Sequence, residues 1–254
     1  MKLIDTHTHL EDEKFSNDRH EVILRAKEEG IHTIINVGSD LITSKQSIEL
    51  AKEYDFIYAT VGMHPHDADK FNDKVYSSLL ELAKNEKVVG IGEIGLDYYR
   101  DLSPRPTQQH VFRLFIRLAK GINLPIVVHD RNAHSDILKI LKEEEASKVG
   151  GVIHSFSGDV NMLNEVINLG FYISISGVVT YSDSLAKIVK LIPKERLLIE
   201  TDCPYLTPVP YRGKRNEPVY LKHTAENISQ ILGITPTEIA KITTSNAHCL
   251  FNIP

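Results

Sequence analysis

Eight short apolar runs, separated by stretches that repeat apolar residues every three to four positions, constrain this chain more than any other feature. The runs are Leu3 to Asp5, Thr33 to Val37, Ile57 to Val61, Val88 to Ile91, Ile126 to Val128, Gly151 to Ile153, Tyr172 to Ile175 and Leu197 to Ile199. Strands without polar alternation belong in a parallel sheet buried on both faces. Between them, Val111, Phe112, Leu114, Phe115 and Leu118, then Ile137, Leu138, Ile140 and Leu141, follow a helical period. Gly30, Gly121 and Gly170 stand where such helices would be capped. Eight βα units in 254 residues are what a TIM (β/α)8 barrel requires, with a doubly wound open sheet as the alternative. No low-complexity segment, linker or composition break divides the chain, so residues 1–254 are expected to form one domain.

In a barrel of this kind chemistry lies at the carboxyl ends of the strands. His7 and His9 end the first strand, and side chains at i and i+2 share a face, so both imidazoles can point into one pocket. His64 and His66 follow the third strand, Glu93 the fourth, His129 the fifth, His154 the sixth, and Glu200 and Asp202 the eighth. Each stands straight after an apolar run. Imidazoles and carboxylates repeated at one relative position point to a metal centre rather than to scattered core histidines.

Three stretches carry a family resemblance: Ile4-Asp5-Thr6-His7-Thr8-His9-Leu10, Pro125-Ile126-Val127-Val128-His129-Asp130-Arg131, and Pro193 through Pro204 with Glu200-Thr201-Asp202-Cys203. With Gly62-Met63-His64-Pro65-His66, Gly92-Glu93-Ile94-Gly95-Leu96-Asp97-Tyr98 and Ile153-His154-Ser155-Phe156-Ser157-Gly158, the chain resembles the TatD family of metal-dependent deoxyribonucleases, within the amidohydrolase superfamily, from end to end. The resemblance implies a TatD-like hydrolase domain over residues 1–254 and two divalent ions per chain. It implies that His7, His9 and Glu93 hold one metal and Glu93, His129 and His154 the other, with Asp202 on or near the first. Glu93 suits a bridge because a carboxylate has two oxygens. Asp202 is the expected proton acceptor, since a metal-bound water has its pKa lowered toward ~7. The donor set suits zinc, manganese, iron or cobalt, whereas magnesium prefers oxygen, although the family is described as magnesium-dependent. Magnesium, manganese and zinc all stand as candidates. Glu11 is a small departure from the family pattern and is not expected to touch the metals.

Charge then bears on the substrate. Two divalent ions against ionised Glu93 and Asp202 leave the filled site about doubly positive, which suits a phosphate better than a neutral amide. The net charge of −5 excludes a protein that coats nucleic acid by bulk charge, so an anionic substrate must be captured locally. Arg212, in the loop Tyr211 to Asn216 after the eighth strand, is the expected phosphate clamp; His64, Tyr98 and Arg131 are the other expected substrate contacts. The expected activity is hydrolysis of DNA by metal-activated water, as an exonuclease. An amidohydrolase or aminoacyl-ester deacylase on the same dinuclear site is the alternative, and a metal-binding scaffold without turnover is a third reading.

Other signals are set aside. Gly90-Ile91-Gly92-Glu93-Ile94-Gly95 has the spacing of a dinucleotide fingerprint but no helix start behind it. Cys203 reads as a packed thiol, and Glu200 as a residue that orients ligands. His20, His32, His110, His134, His223 and His248 read as surface or packing residues. Two cysteines, no membrane-spanning run and no secretory pattern at Met1 to Asp5 place the expected location in the cytoplasm, with no membrane and no obligate protein partner.

Overall fold

The structure, a computed structural model, describes residues 1–254. Its eight strands are β1 (Leu3–Thr8), β2 (Ile31–Val37), β3 (Ile57–Val61), β4 (Val88–Asp97), β5 (Ile126–Arg131), β6 (Gly151–Ile153), β7 (Tyr172–Ile175) and β8 (Leu197–Ile199). Each hydrogen-bonds its sequence neighbour, all in parallel, in the order β1 to β8. Helices α1 (Arg19–Glu28), α2 (Leu41–Glu53), α3 (Asp73–Leu82), α4 (Arg105–Ile122), α5 (His134–Glu143), α6 (Val160–Asn168), α7 (Asp183–Val189) and α8 (Leu221–Leu232) follow the strands in turn, and α9 (Pro236–Phe251) ends the chain. This is the TIM-barrel order and not that of a doubly wound sheet.

Because β8 is so short, the seam with β1 is closed largely by groups beyond it. His9 N–H donates to Cys203 O (2.8 Å) and Asp202 N–H to His7 O (2.9 Å). Below them Asp5 accepts from Thr201 N–H (2.9 Å) and Thr201 Oγ1 (2.6 Å). Burial pushes the Asp5 carboxyl up to about 8 against those hydrogen bonds. The seam therefore fixes Asp202 directly against His7.

Strand alternation splits the apolar residues into two layers. Leu3, Ile34, Ile126, Val128 and Ile173 pack outward into the large core shared with the helices. Ile4, Ile35, Val89, Val127, Val152, Tyr172 and Leu198 form an inner cluster with Ala247, Phe251 and Ile253. Asn246 Nδ2 donates to Lys194 O and Leu197 O at the start of β8, so α9 and the tail behind it plug the barrel's amino-terminal mouth. Two residues beyond the inner apolar positions, on the same face, come His129, His154 and Glu200: the carboxyl-terminal mouth is where the polar groups collect.

Two expectations change in detail. Gly30 and Gly170 do adopt positive φ (97° and 81°) behind α1 and α6, but Gly121 lies inside α4, and the left-handed cap there is Asn123 at φ 57°. Asparagine tolerates that region, so the turn needs no glycine. Strand β4 runs on through Asp97, far past the expected Ile91, because its glycines serve close packing rather than a turn. A Cβ at Gly92 would stand 2.5 Å from Val127 Cβ, and Gly95 (φ 145°) passes so close to β5 that a Cβ would meet His129 O at 2.0 Å. The dinucleotide pattern is thus strand throughout.

Candidate metal centre

Glu93, at the middle of β4, stands between two groups of nitrogen donors, and each of its oxygens faces a different one. Oε2 lies 3.5 Å from His7 Nε2 and 3.7 Å from His9 Nε2. Those two nitrogens are 3.2 Å apart, and Asp202 Oδ1 is 3.6 Å from His9 Nε2 and 3.8 Å from His7 Nε2. Oε1 lies 2.7 Å from His129 Nδ1, 2.9 Å from His154 Nε2 and 3.5 Å from His64 Nε2. His129 Nδ1 and His154 Nε2 are again 3.2 Å apart.

Donors bound at about 2.0–2.2 Å to one ion are separated from each other by roughly 3.0–3.6 Å. Both groups approach that spacing, and buried imidazole nitrogens aimed at one another are otherwise repulsive unless they share a proton. The triads His7–His9–Glu93 and His64–Glu93–His129 overlap at Glu93, while His7, His154 and Asp202 form a third grouping across them. The residues fit two divalent ions per chain, sharing one carboxylate.

The rings are held from behind. His9 Nδ1 pairs with Val37 O (3.0 Å) and faces Glu11 Oε1 (3.4 Å), whose other oxygen accepts from Asn36 Nδ2 (2.6 Å). His129 Nε2 pairs with Asp97 Oδ2 (3.1 Å), which also binds His66 Nε2 (2.9 Å). His154 Nδ1 faces Glu200 Oε1 (3.4 Å), and that oxygen accepts from Ser155 N–H (2.7 Å). Such backing fixes which ring nitrogen points inward. Glu200 takes the orienting position expected of it. Asp202 is held at φ 55°, a region costly for a non-glycine residue, by its N–H bond to His7 O.

Burial and close opposite charge shift the titration of the donor groups in opposing directions. Burial opposes charge on Glu93, yet His154, His64 and His129 around it hold its carboxyl well below the usual range. Burial likewise opposes the charged form of His154, but Glu93 and Glu200 raise it well above an ordinary imidazole. His129 is raised by Asp97 and Glu93 against the same penalty, and His9 is raised to about 9 by Glu11, Glu93 and Asp202. Burial lowers His7 and His64, and it pushes Asp202 up despite the neighbouring imidazoles. Burial also pushes the Cys203 thiol well up, in keeping with an inert packed residue.

The centre opens into a cleft of about 1310 Å³ lined by His9, His64, His66, Glu93, His129, His154 and Asp202. Of the expected substrate contacts, His64 lines the cleft and also reaches Glu93, and Arg131 lines it with its guanidinium stacked on Tyr99 (4.2 Å). Tyr98 and Arg212 are not among the lining residues. Tyr98 OH donates to Asp136 (2.7 Å) and accepts from Gln109, and Arg212 stacks on Tyr181 (4.2 Å). Asp97 and Arg100 were passed over in the sequence. Asp97 shares strand parity with Glu93, the one local signal that could have found it; Arg100 carries none.

Comparison with known proteins places the chain among metal-dependent hydrolases. The family described as TatD related DNase matches residues 4–252. The chain is 49% identical to the metal-dependent hydrolase YabD of Bacillus subtilis over 99% of both chains, and 35% identical to the 3'-5' ssDNA/RNA exonuclease TatD of Citrobacter rodentium over 99% of this chain and 98% of that one. Its fold superposes on the crystal structure of YjjV, a TatD homologue from Escherichia coli, with a TM-score of 0.94 at 30% identity, covering 99% of this chain and 98% of that one.

Proposed function

The chain belongs to the TatD family of DNases, and on that premise we propose that it hydrolyses phosphodiester bonds of DNA with metal ions, acting as an exonuclease on single strands. The observation that carries the reading is the division of labour at Glu93, one oxygen to each donor group. His7, His9, Asp202 and Glu93 Oε2 would hold one ion; His129, His154 and Glu93 Oε1 would hold the other, with His64 beside it. When bound, two divalent ions supply positive charge that lowers the pKa of water toward neutrality and stabilises the attacking and leaving oxygens of an in-line displacement. Asp202, at the cleft wall beside His7 and His9, accepts the proton of the attacking water. Arg131, in the cleft, is better placed than Arg212 to pair with a phosphodiester oxygen.

Relatives named as single-strand exonucleases support the substrate class, and the cleft volume exceeds what a small cyclic amide would need. No helix is long and apolar enough to cross a membrane. Two free cysteines suit a reducing compartment and so a cytoplasmic location, and one continuous eight-stranded sheet supports a single domain over residues 1–254. The test is elemental analysis of the loaded protein, followed by product mapping on end-labelled single strands. Two ions per chain and stepwise shortening from one end are expected. Efficient turnover of aminoacyl esters or cyclic amides by a doubly loaded preparation that leaves DNA intact would overturn the substrate while keeping the centre.

A further inference from the structure

The walls of the cleft carry opposite charge. Glu11, Asp12 and Glu13, after β1, line one side together with Arg19, whose guanidinium is taken up by the carbonyls of Leu10, Glu11 and Asp12; Arg100, just past β4, and Arg131, at the end of β5, line the other with Leu102 across the barrel. Lining carboxylates on the cationic side are already engaged, Asp67 by Lys70 and Asp130 by His134. Tyr99 is not a lining residue but stands at the rim beside the two arginines, 60% exposed, its ring backed by the guanidinium of Arg131 at 4.2 Å; Leu102, in the lining, is 64% exposed.

This corner is tied to the metal centre by a single carboxylate. Asp97 Oδ1 accepts from Tyr99 N–H (3.0 Å) and Arg100 N–H (2.7 Å), while Asp97 Oδ2 pairs with His129 Nε2 (3.1 Å). Tyr99 follows Glu93 by six residues along β4 and its end, a span of at most about 20 Å, so the tyrosine is held within a few nucleotides of a phosphate at Glu93. On the acidic side Tyr205 also has a cation over its ring, Lys14 at 4.4 Å, but its hydroxyl is committed to Asp12, an acidic neighbour where Tyr99 has arginines.

We propose that Tyr99, backed by Arg131 and flanked by Arg100 and Leu102, is a base-stacking subsite at the cleft rim that holds a nucleotide of the strand whose scissile phosphate lies at the metal centre; this rests on the phosphodiesterase reading. An exposed ring offers any base a π-face, and the two arginines meet the adjoining phosphates, so recognition is independent of sequence. Bases stacked in a duplex cannot reach the ring. The subsite therefore selects single strands.

The chain has no tryptophan, so Tyr99→Trp installs a lone indole at the subsite, excited to the red of the remaining tyrosines. On the metal-loaded protein, a phosphorothioate-linked oligothymidylate should quench its emission, whereas an abasic strand of the same length and inorganic phosphate should not. In steady-state cleavage Tyr99→Ala should raise KM for oligothymidylate about ten-fold, the lower range for loss of one stacked base, leave KM for the abasic strand unchanged, and be rescued by Tyr99→Phe. Binding of the oligothymidylate, seen by anisotropy of a labelled strand, without any quench would overturn the subsite. So would an equal rise in KM for both strands. If the wild type cleaves neither strand, the phosphodiesterase reading falls on its own, and the quench still decides whether bases stack at Tyr99.

Discussion

Glu93 is the residue on which both donor groups depend, because only a carboxylate can present one oxygen to each. Glu93→Gln keeps the volume but exchanges an anionic oxygen for an amide nitrogen that donates toward His129 and His154 or toward His7 and His9. We expect the variant to lose stable loading of two ions and to lose at least about three orders of magnitude in turnover, since metal ions supply several kcal/mol of transition-state stabilisation. Metal content measured beside the rate checks this; full loading with undiminished activity would sink the shared-carboxylate assignment. Asp97 works one step farther out, holding His129 through one oxygen and the Tyr99–Arg100 backbone through the other.

At the level of elements, the barrel ends are finished by different means. The carboxyl mouth is left polar by His129, His154 and Glu200, each two residues past an inner apolar side chain. The amino mouth is closed by α9, whose Phe251 is 3% exposed and packs among the inward side chains of several strands. Phe251→Ala should destabilise the fold by about 3–5 kcal/mol through the cavity it leaves. Urea unfolding should show this as a lower midpoint with an unchanged slope, while metal stoichiometry in the folded protein stays at the wild-type value. A loss well under about 1 kcal/mol would mean that α9 is a peripheral cover and not a plug.

For the whole molecule, stability and metal loading are linked through protons. His9, raised to about 9, and His129 and His154, raised by their carboxylate neighbours, bind protons more tightly in the folded metal-free protein than in the unfolded chain. Their contribution is complete below the unfolded value near 6.5 and is lost as pH rises through the folded values, toward about 9 for His9. His7 and His64, lowered by burial, are neutral across that window and do not offset the trend. The metal-free protein should therefore show a falling Tm between about pH 6.5 and 9. Ions must displace the same protons, so the gain in Tm on loading should grow over that interval, with protons released on metal addition in weak buffer. A pH-independent gain would show that the imidazoles are already neutral before loading.

Much of this was local information. Apolar runs are readable wherever they occur and marked all eight strands, and the histidines and carboxylates that follow six of them, His7, His9, Glu93, His129, His154 and Asp202 among them, marked the expected donors. Gly121 was misread as a cap because asparagine can occupy the left-handed region as well, and β4 was cut short because glycine that permits close packing looks in sequence like glycine that permits a turn. What local pattern lacks is the third dimension of the mouth. That His64 reaches Glu93, that Asp97 backs His129, and that Arg100 with Arg131 faces the cleft while Arg212 lies against Tyr181 all follow from loop paths between strands. The chain alone determined which residues stand at the ends of the strands, because strand periodicity is a two-residue property. Only the closed barrel decided which of them meet, because the meeting is set by register and closure between segments distant in sequence.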